Sequence, residues 1–297
     1  MKISATLAVF ALLLGGSAFG QVKPNRPPVS LNHFFVTVDS ATYKEIEGSA
    51  FLRQEFAVTE RRTTVRTDTS YTALYFYGAN TYFEFFDAGD RQAAQFTGSG
   101  VAFGVDESGG LHALAKESAA EIFVGPEPVT RQFDGKQVPW FYRAVPKNFP
   151  PGSGLSLWLM EYHPRFLAEW NPRPGGQNQG VSRRQILRRY AAVLKDTPAR
   201  PLFEEVVALT IAAAEPTRKG LAGLGRLFGY GEHQAGGATV LRGSVIELRL
   251  TAGTDEARGV REVTMRVRGK PKGPAEFRFG PKSVLKFHGD GLATWSF

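Results

Sequence analysis

Short runs of aromatic and β-branched residues, broken by glycine, proline and asparagine, follow one another along the chain from Val29 onwards. The first run, LNHFFVTVD, predicts a strand, and Asp39 or Ser40 predicts the cap of a following helix that Gly48 divides into two pieces. The next runs, TTVRTDTSYTALYFYG and TYFEFFDAG, predict further strands with a tight turn at residues 78–80. The order of elements is therefore β-α-β-β-β.

This order of elements recurs along the chain. The predicted elements of the second unit are a strand at GVAFGVD, a helix at residues 110–121, and strands around residues 131–133, 138–144 and 155–162. Residues 171–182 are rich in proline and glycine and predict a linker. Residues 183–297 repeat the plan in degenerate form, with the helix of the last unit missing. We predict one domain at residues 29–170, built from two units, and a second at residues 183–297.

Residues 1–20 differ from the rest of the chain and match the pattern of a signal peptide. A lysine precedes a short apolar run, and the small residues Ala18 and Gly20 lie before a cleavage point. We predict a mature protein that begins at Gln21 with a flexible leader at residues 21–28, in the periplasm or secreted. The apolar run is shorter than the ~20 residues that cross a bilayer, so we expect no membrane span after cleavage. An uncleaved anchor is the alternative.

Composition narrows the classes of function. Hydrophobic residues make up 42% of the chain and charged residues 22%, which is typical of a folded globular protein. The absence of cysteine excludes disulfide bonds, thiol chemistry and cysteine-bound metals. The net charge of +8 arises in residues 181–297, which contain 20 lysines and arginines against 11 acidic residues. These charges predict either weak binding to anionic envelope surfaces or a solvated face, and we expect no nucleic acid partner.

The segments LNHFFVTVD, TYFEFFDAG and WLMEYHP resemble the vicinal oxygen chelate family, which includes glyoxalase I and the extradiol dioxygenases. The resemblance covers about half of the chain. It implies an α+β fold in which paired βαβββ glyoxalase-like modules, with curved and mostly antiparallel sheets, enclose a divalent metal. The C-terminal part is then a degenerate glyoxalase-like repeat.

The resemblance also implies a set of metal ligands. His33 and Glu84 match the two ligands of the first module, and Glu161 matches the last-strand ligand of the second module, where it would also serve as the catalytic base. The fourth position falls in GSGVAFGVD, which offers only serine and glycine, and His163 is the candidate to replace it. Such a set suits Mn, Fe, Co, Ni or Zn.

Aromatic side chains predict a cavity for a small organic ligand between the two modules. The candidate lining residues are Phe35, Tyr75, Tyr82, Trp140 and Trp158.

Each of these residues has a structural alternative. His33 could be a hydrogen-bonded core group without a metal. A carboxylate among phenylalanines needs a partner, so Glu84 could instead form an ion pair with one of four arginines, and the same alternative holds for Glu161. The four arginines are Arg61, Arg62, Arg66 and Arg143. The two functions that follow are a metal-dependent lyase, isomerase or dioxygenase, and a non-catalytic small-ligand-binding protein that has lost the metal site.

Overall fold

The computed structural model describes residues 27–93, 95–96, 98–117, 122–150, 153–174, 178–195, 197–254 and 258–297. The predicted signal peptide, nearly all of the leader and residues 175–177 of the predicted linker lie outside this part of the chain. Sixteen strands in the described part form two eight-stranded sheets. None of its helices has both the length and the apolar character needed to cross a membrane.

Two β-α-β-β-β modules lie side by side in the first sheet. The first module comprises β1 (Val29–Val38), α1 (Ser40–Gly48), β2 (Val58–Val65), β3 (Ser70–Tyr77) and β4 (Tyr82–Asp87). The second comprises β5 (Ser99–Val105), α2 (Gly110–Glu117), β6 (Phe123–Phe133), β7 (Lys136–Pro146) and β8 (Leu155–Tyr162). The strand order is β2-β3-β4-β1-β5-β8-β7-β6, so the two modules meet where β1 pairs antiparallel with β5.

This first sheet curls until its two edges approach each other. An isolated bridge between Arg66 and Arg131 connects the end of β2 with β6. Two helices, α3 (Phe166–Trp170) and α4 (Arg183–Val193), supply aromatic rings at this seam. The ring of Tyr190 lies 5.2 Å from that of Tyr77 and 4.4 Å from that of Trp170. The curl therefore encloses an aromatic interior.

The second sheet repeats the plan of the first. Its elements are β9 (Phe203–Ala213), α5 (Glu215–Leu227), β10 (Gly231–Ala235), β11 (Ala238–Arg242), β12 (Glu247–Ala252), β13 (Gly259–Val267), β14 (Glu276–Phe279), β15 (Ser283–Phe287) and β16 (Leu292–Ser296). The strand order is β10-β11-β12-β9-β13-β16-β15-β14, which is the order of the first sheet. Residues 268–275, all described, contain no helix between β13 and β14. The predicted α+β fold with a degenerate C-terminal repeat is confirmed.

The main hydrophobic core lies between the two sheets. Phe83 and Phe85 of β4 point away from the interior of the curl and meet Trp295 of β16, with ring centroids 5.8 and 5.1 Å apart. Trp295 is fully buried, and its indole N–H donates to Ser283. A second core fills the interior of the first sheet. One face of β1 and β4 packs in the core between the sheets, and the opposite face points into the interior of the first sheet. Alternate residues of these strands therefore point to the cavity described below.

Local signals account for the helix limits. The carboxylate of Asp39 accepts hydrogen bonds from the amides of Ala41 and Thr42, which fixes the start of α1. That helix ends at Gly48 and is followed by a π-helical turn at Leu52–Phe56, so the predicted division into two pieces is observed.

Candidate functional site

A cavity of about 380 Å³ opens between the two modules of the first sheet. Strands β1, β3, β4, β7 and β8 contribute to it, together with residues 95 and 96 and Phe149. Its aromatic lining residues are Phe35, Tyr71, Tyr82, Phe96, Trp140, Phe141, Phe149 and Trp158. Its polar lining residues are His33, Arg66, Glu84, Gln95, Arg143 and Ser156. The site is therefore an aromatic cavity with a few polar groups, which is the usual composition of a small-molecule pocket.

His33 points into the cavity from β1, just after an irregularity of the strand at Asn32. The pairing of β1 with β5 shifts between Leu31 and His33, so Leu31 packs in the core between the sheets, whereas His33 and Phe35, two residues apart, face the cavity. Asn32 Oδ1 lies 2.9 Å from His33 Nδ1 and fixes the orientation of the ring. The imidazole stacks on Tyr82, with centroids 4.3 Å apart. His33 is thus held rigidly within the wall.

Glu84 of β4 is buried and lies beside His33, with Oε1 3.6 Å from Nε2. Burial raises the pKa of its carboxyl to about 8, although the charge of Arg62 and the hydroxyls of Tyr75 and Tyr82 act in the opposite direction. Burial also lowers the pKa of His33 to about 3. Near neutral pH both groups are therefore uncharged, and their contact is between two neutral groups rather than an ion pair.

The arginines predicted as alternative partners of Glu84 have other partners. Arg61 pairs with Glu47, Arg62 with Glu60, Arg66 with Asp68 and Arg143 with Glu127, at N–O distances of 3.0, 2.7, 2.5 and 2.5 Å. No ion pair between Glu84 and an arginine occurs in the described part of the chain, so that alternative is wrong. Only the long-range charge of Arg62 reaches the carboxyl.

Glu161 does not reach the cavity. Its carboxylate accepts hydrogen bonds from the amides of Gly109 and Leu111, at 2.7 and 2.8 Å. It therefore caps the N-terminus of α2 on the opposite face of β8 from Trp158. The structure thus contradicts its prediction as a metal ligand and catalytic base, and also the alternative of an arginine pair, because an odd offset along a strand reverses the face.

His163 is likewise separate from His33 and Glu84. It lies just after β8, half-buried, and its Nδ1 accepts a hydrogen bond of 3.2 Å from the amide of Arg165. Its ring packs against Tyr142, with centroids 5.1 Å apart. Burial and the charge of Arg165 lower its pKa. The prediction of His163 as a replacement ligand is wrong, since it shares the outward face of Glu161.

The register of the sheet identifies the residues that stand where the second module would supply ligands. Glu84 pairs with Phe35, and Trp158 pairs with Ala102. Phe35 and Ala102 each lie four residues before the aspartate that follows the first strand of the module, so Trp158 corresponds to Glu84. On the same count Gly100 corresponds to His33. The Trp158 ring lies 5.2 Å from the imidazole of His33, edge to face. In the second module the position of Glu84 is thus occupied by the indole of Trp158, and the position of His33 by Gly100, which has no side chain.

These residues do not fit a catalytic divalent metal. Such sites use about three protein ligands, whereas the described lining of the cavity offers two, the imidazole of His33 and the carboxyl of Glu84. Within the residues that the structure describes, no group of three or more histidine, aspartate or glutamate side chains is arranged to hold an ion. The cavity has too few donors for the metal because Gly100 and Trp158 stand where the second module would supply ligands.

Four of the five aromatic residues predicted to bind a ligand line the cavity. These are Phe35, Tyr82, Trp140 and Trp158, whereas Tyr75 lies in the same interior of the first sheet, buried beside Glu84, and does not line the cavity. Sequence reasoning missed Tyr71, although its even spacing from Tyr75 on β3 predicts the same face. It also missed the lining residues that come from loops, such as Phe96 and Phe149, for which no periodic signal exists.

The sequence matches the profile of one protein family over residues 31–297. The chain belongs to the Family of unknown function (DUF5829). The comparison with curated proteins finds no match. Membership in the DUF5829 family covers both sheets, so the two sheets occur together as one family unit.

Solved structures provide further comparisons for this DUF5829 protein. It is similar to a hypothetical protein from Staphylococcus aureus, with a TM-score of 0.57 and 10% identity over 88% of this chain and 99% of that one. It is also similar to the Mn(II)-bound glyoxalase from Novosphingobium aromaticivorans, with a TM-score of 0.45 and 12% identity over 89% and 80%. A third is BphC, a halotolerant catechol dioxygenase, with a TM-score of 0.44 and 10% identity over 90% and 85%. Identities this low concern the fold alone.

Proposed function

We propose that this protein binds a small, uncharged aromatic molecule in the cavity of the first sheet without a metal ion. The observation that carries the proposal is the neutral pair of His33 and Glu84 in an aromatic cavity of about 380 Å³, with Trp158 at the position of a further ligand. This is the non-catalytic alternative of the two functions that the sequence predicts.

The polar groups of the cavity indicate what the ligand should offer. The indole N–H of Trp140 is buried and has no acceptor among the described residues. A protonated Glu84 adds a second donor, so a carbonyl or similar acceptor on the ligand suits this site. The two arginines of the lining, Arg66 and Arg143, are already paired with carboxylates. An uncharged ligand therefore fits better than an anion.

The test combines metal analysis with a matched pair of probes. The mature protein, purified without chelators or a histidine tag, is analysed for metals by mass spectrometry, and 2-naphthamide and 2-naphthoate are titrated by calorimetry. We expect no stoichiometric metal and binding of 2-naphthamide in the cavity. Val145 lines the cavity and is 37% exposed, so a larger side chain there extends into the cavity. Val145→Trp should therefore block the cavity and weaken the binding of 2-naphthamide at least tenfold.

The control for this variant is Val193→Trp. Val193 is a similarly exposed valine, 36% exposed, on α4 and outside the cavity. It should leave 2-naphthamide binding unchanged. Stoichiometric metal that disappears in both His33→Ala and Glu84→Ala would refute the proposal and favour a metal-dependent lyase, isomerase or dioxygenase.

We further propose that binding takes place in the periplasm or outside the cell, on the basis of the signal-peptide pattern in residues 1–20. N-terminal sequencing of the protein from fractionated cells tests this, and Gln21 is the expected first residue. Weak binding of the basic C-terminal part to anionic envelope surfaces stays a prediction, and sedimentation with envelope fractions at two salt concentrations tests it.

A further inference from the structure

Arg131 of β6 is a buried cation surrounded by aromatic rings. Arg131 is only 4% exposed. Its guanidinium carbon lies between 4.9 and 5.5 Å from four ring centroids, those of Trp140, Phe166, Trp170 and Tyr190. Such contacts stabilise a cation, but they leave its hydrogen-bond donors unused.

The hydrogen bonding of Arg131 is incomplete. One bond is formed, from Nη1 to the hydroxyl of Tyr190 at 2.7 Å. The Nε–H group is buried and has no acceptor, and no carboxylate of the described residues pairs with this guanidinium. A guanidinium has five N–H donors, and a buried charge without a counter-ion is unfavourable. The site is therefore short of an anion.

The neighbouring charges do not supply this anion. Arg62 lies on the Tyr190 ring as well, with its guanidinium carbon 5.4 Å from the centroid. Glu60 pairs with Arg62 at 2.7 Å and also accepts from Tyr77. The carboxylate of Glu60 is thus taken up by Arg62 and Tyr77, and Arg131 has no carboxylate partner among the described residues.

A cleft of about 480 Å³ lies directly beside Arg131, between residues of β2, β6 and α4. Its apolar wall consists of Phe133, Trp170, Val193 and Leu194. Its polar residues include Thr63 and Thr64 of β2, and Asp134 stands at the rim on an exposed turn. The cleft is separate from the cavity of the first sheet, with which it shares no lining residue.

We propose that this cleft binds the carboxylate of a small organic acid, with Arg131 as the counter-ion. The planar guanidinium matches the two oxygens of a carboxylate, and a buried guanidinium without a carboxylate partner suits a monoanion. The apolar body of the acid lies against Trp170, Val193 and Leu194. The cleft is a second binding site, independent of the proposed function of the cavity.

The test uses calorimetric titration of the full mature protein with 2-naphthoate and 2-naphthamide at constant ionic strength. We expect 2-naphthoate to bind the wild type and Val145→Trp equally. Binding should weaken at least tenfold in Val193→Trp, which fills the cleft from the surface, and in Arg131→Gln. Binding of 2-naphthamide should weaken in Val145→Trp and stay unchanged in Val193→Trp.

Two results would overturn the proposal. One is an absence of 2-naphthoate binding to the wild type at millimolar concentration. The other is weakening of 2-naphthoate by Val145→Trp but not by Val193→Trp, which would assign the carboxylate to the cavity. Because Val193 is exposed, this variant keeps the test valid even if Arg131→Gln does not fold. If only the cavity proposal is wrong, 2-naphthamide will not bind, but 2-naphthoate will still bind in the cleft.

Discussion

Replacing Glu84 by glutamine removes a group that the folded protein holds in its protonated form. Burial raises the pKa of this carboxyl from 4.5 to about 8. Between these pH values the folded protein retains a proton that the unfolded chain releases. The stability linked to Glu84 is therefore complete below pH 4.5 and is lost as the pH rises to about 8. Glutamine has nearly the same size and does not ionise, so Glu84→Gln should lack this pH dependence.

The pKa shift sets the magnitude of the effect. Each pH unit within the window changes the free energy of unfolding by about 1.4 kcal/mol. Relative to Glu84→Gln, the wild type should lose about 3 kcal/mol between about pH 5.5 and pH 7.5. Urea unfolding followed by tryptophan fluorescence at both pH values measures this difference. The lowered pKa of His33 contributes a slope of opposite sign below pH 6.5, but both proteins contain His33 and it cancels.

The control is Glu107→Gln, at an exposed position on the turn before α2. Its stability difference from the wild type should not depend on pH over the same range. If the difference between the wild type and Glu84→Gln is constant within about 0.5 kcal/mol, Glu84 ionises alike in the folded and unfolded protein. The neutral pair with His33, and with it the donor role proposed for Glu84, would then be refuted.

Two further substitutions test the packing and the capping. Glu161→Gln leaves one acceptor for two backbone amides and should lower the free energy of unfolding by about 1–3 kcal/mol without changing 2-naphthamide affinity; unchanged stability would contradict the capping role. Gly100→Ala should cost about 1–3 kcal/mol in urea unfolding, because its Cβ would lie 2.2 Å from the Phe35 ring. As its control, Gly48→Ala meets no atom within 4 Å and should stabilise α1 by about 0.5–1 kcal/mol.

Local pattern predicted most of the fold. Alternating aromatic residues identified the strands β1, β4 and β8, and Asp39 and Gly48 marked the limits of α1. These signals depend on neighbours in the chain, so they can be recognised without a partner strand. The resemblance to the vicinal oxygen chelate family, rather than local pattern, placed His33 and Glu84 together, and the parallel pairing of β1 with β4 brings them side by side.

Strand register could not be predicted in the same way. The motif WLMEYHP offers an acidic residue, yet the pairing of β8 with β5 turns Trp158 towards the cavity and Glu161 towards α2. A shift of one residue reverses every side chain of a strand, and only the partner strand fixes that choice. The bulge at Asn32, which places Leu31 and His33 on opposite faces, is equally invisible in a single strand.

The sequence by itself therefore determined the elements and their repetition, since these follow from periodicity and caps within short segments. The tertiary structure alone decided which polar groups are buried, and with what neighbours. Among the described residues, it left Glu84 without an arginine and Arg131 without a carboxylate, because the curl of the first sheet brings together residues far apart in the chain. Burial in that interior, rather than residue type, sets the protonation state of Glu84 and the unmet charge of Arg131.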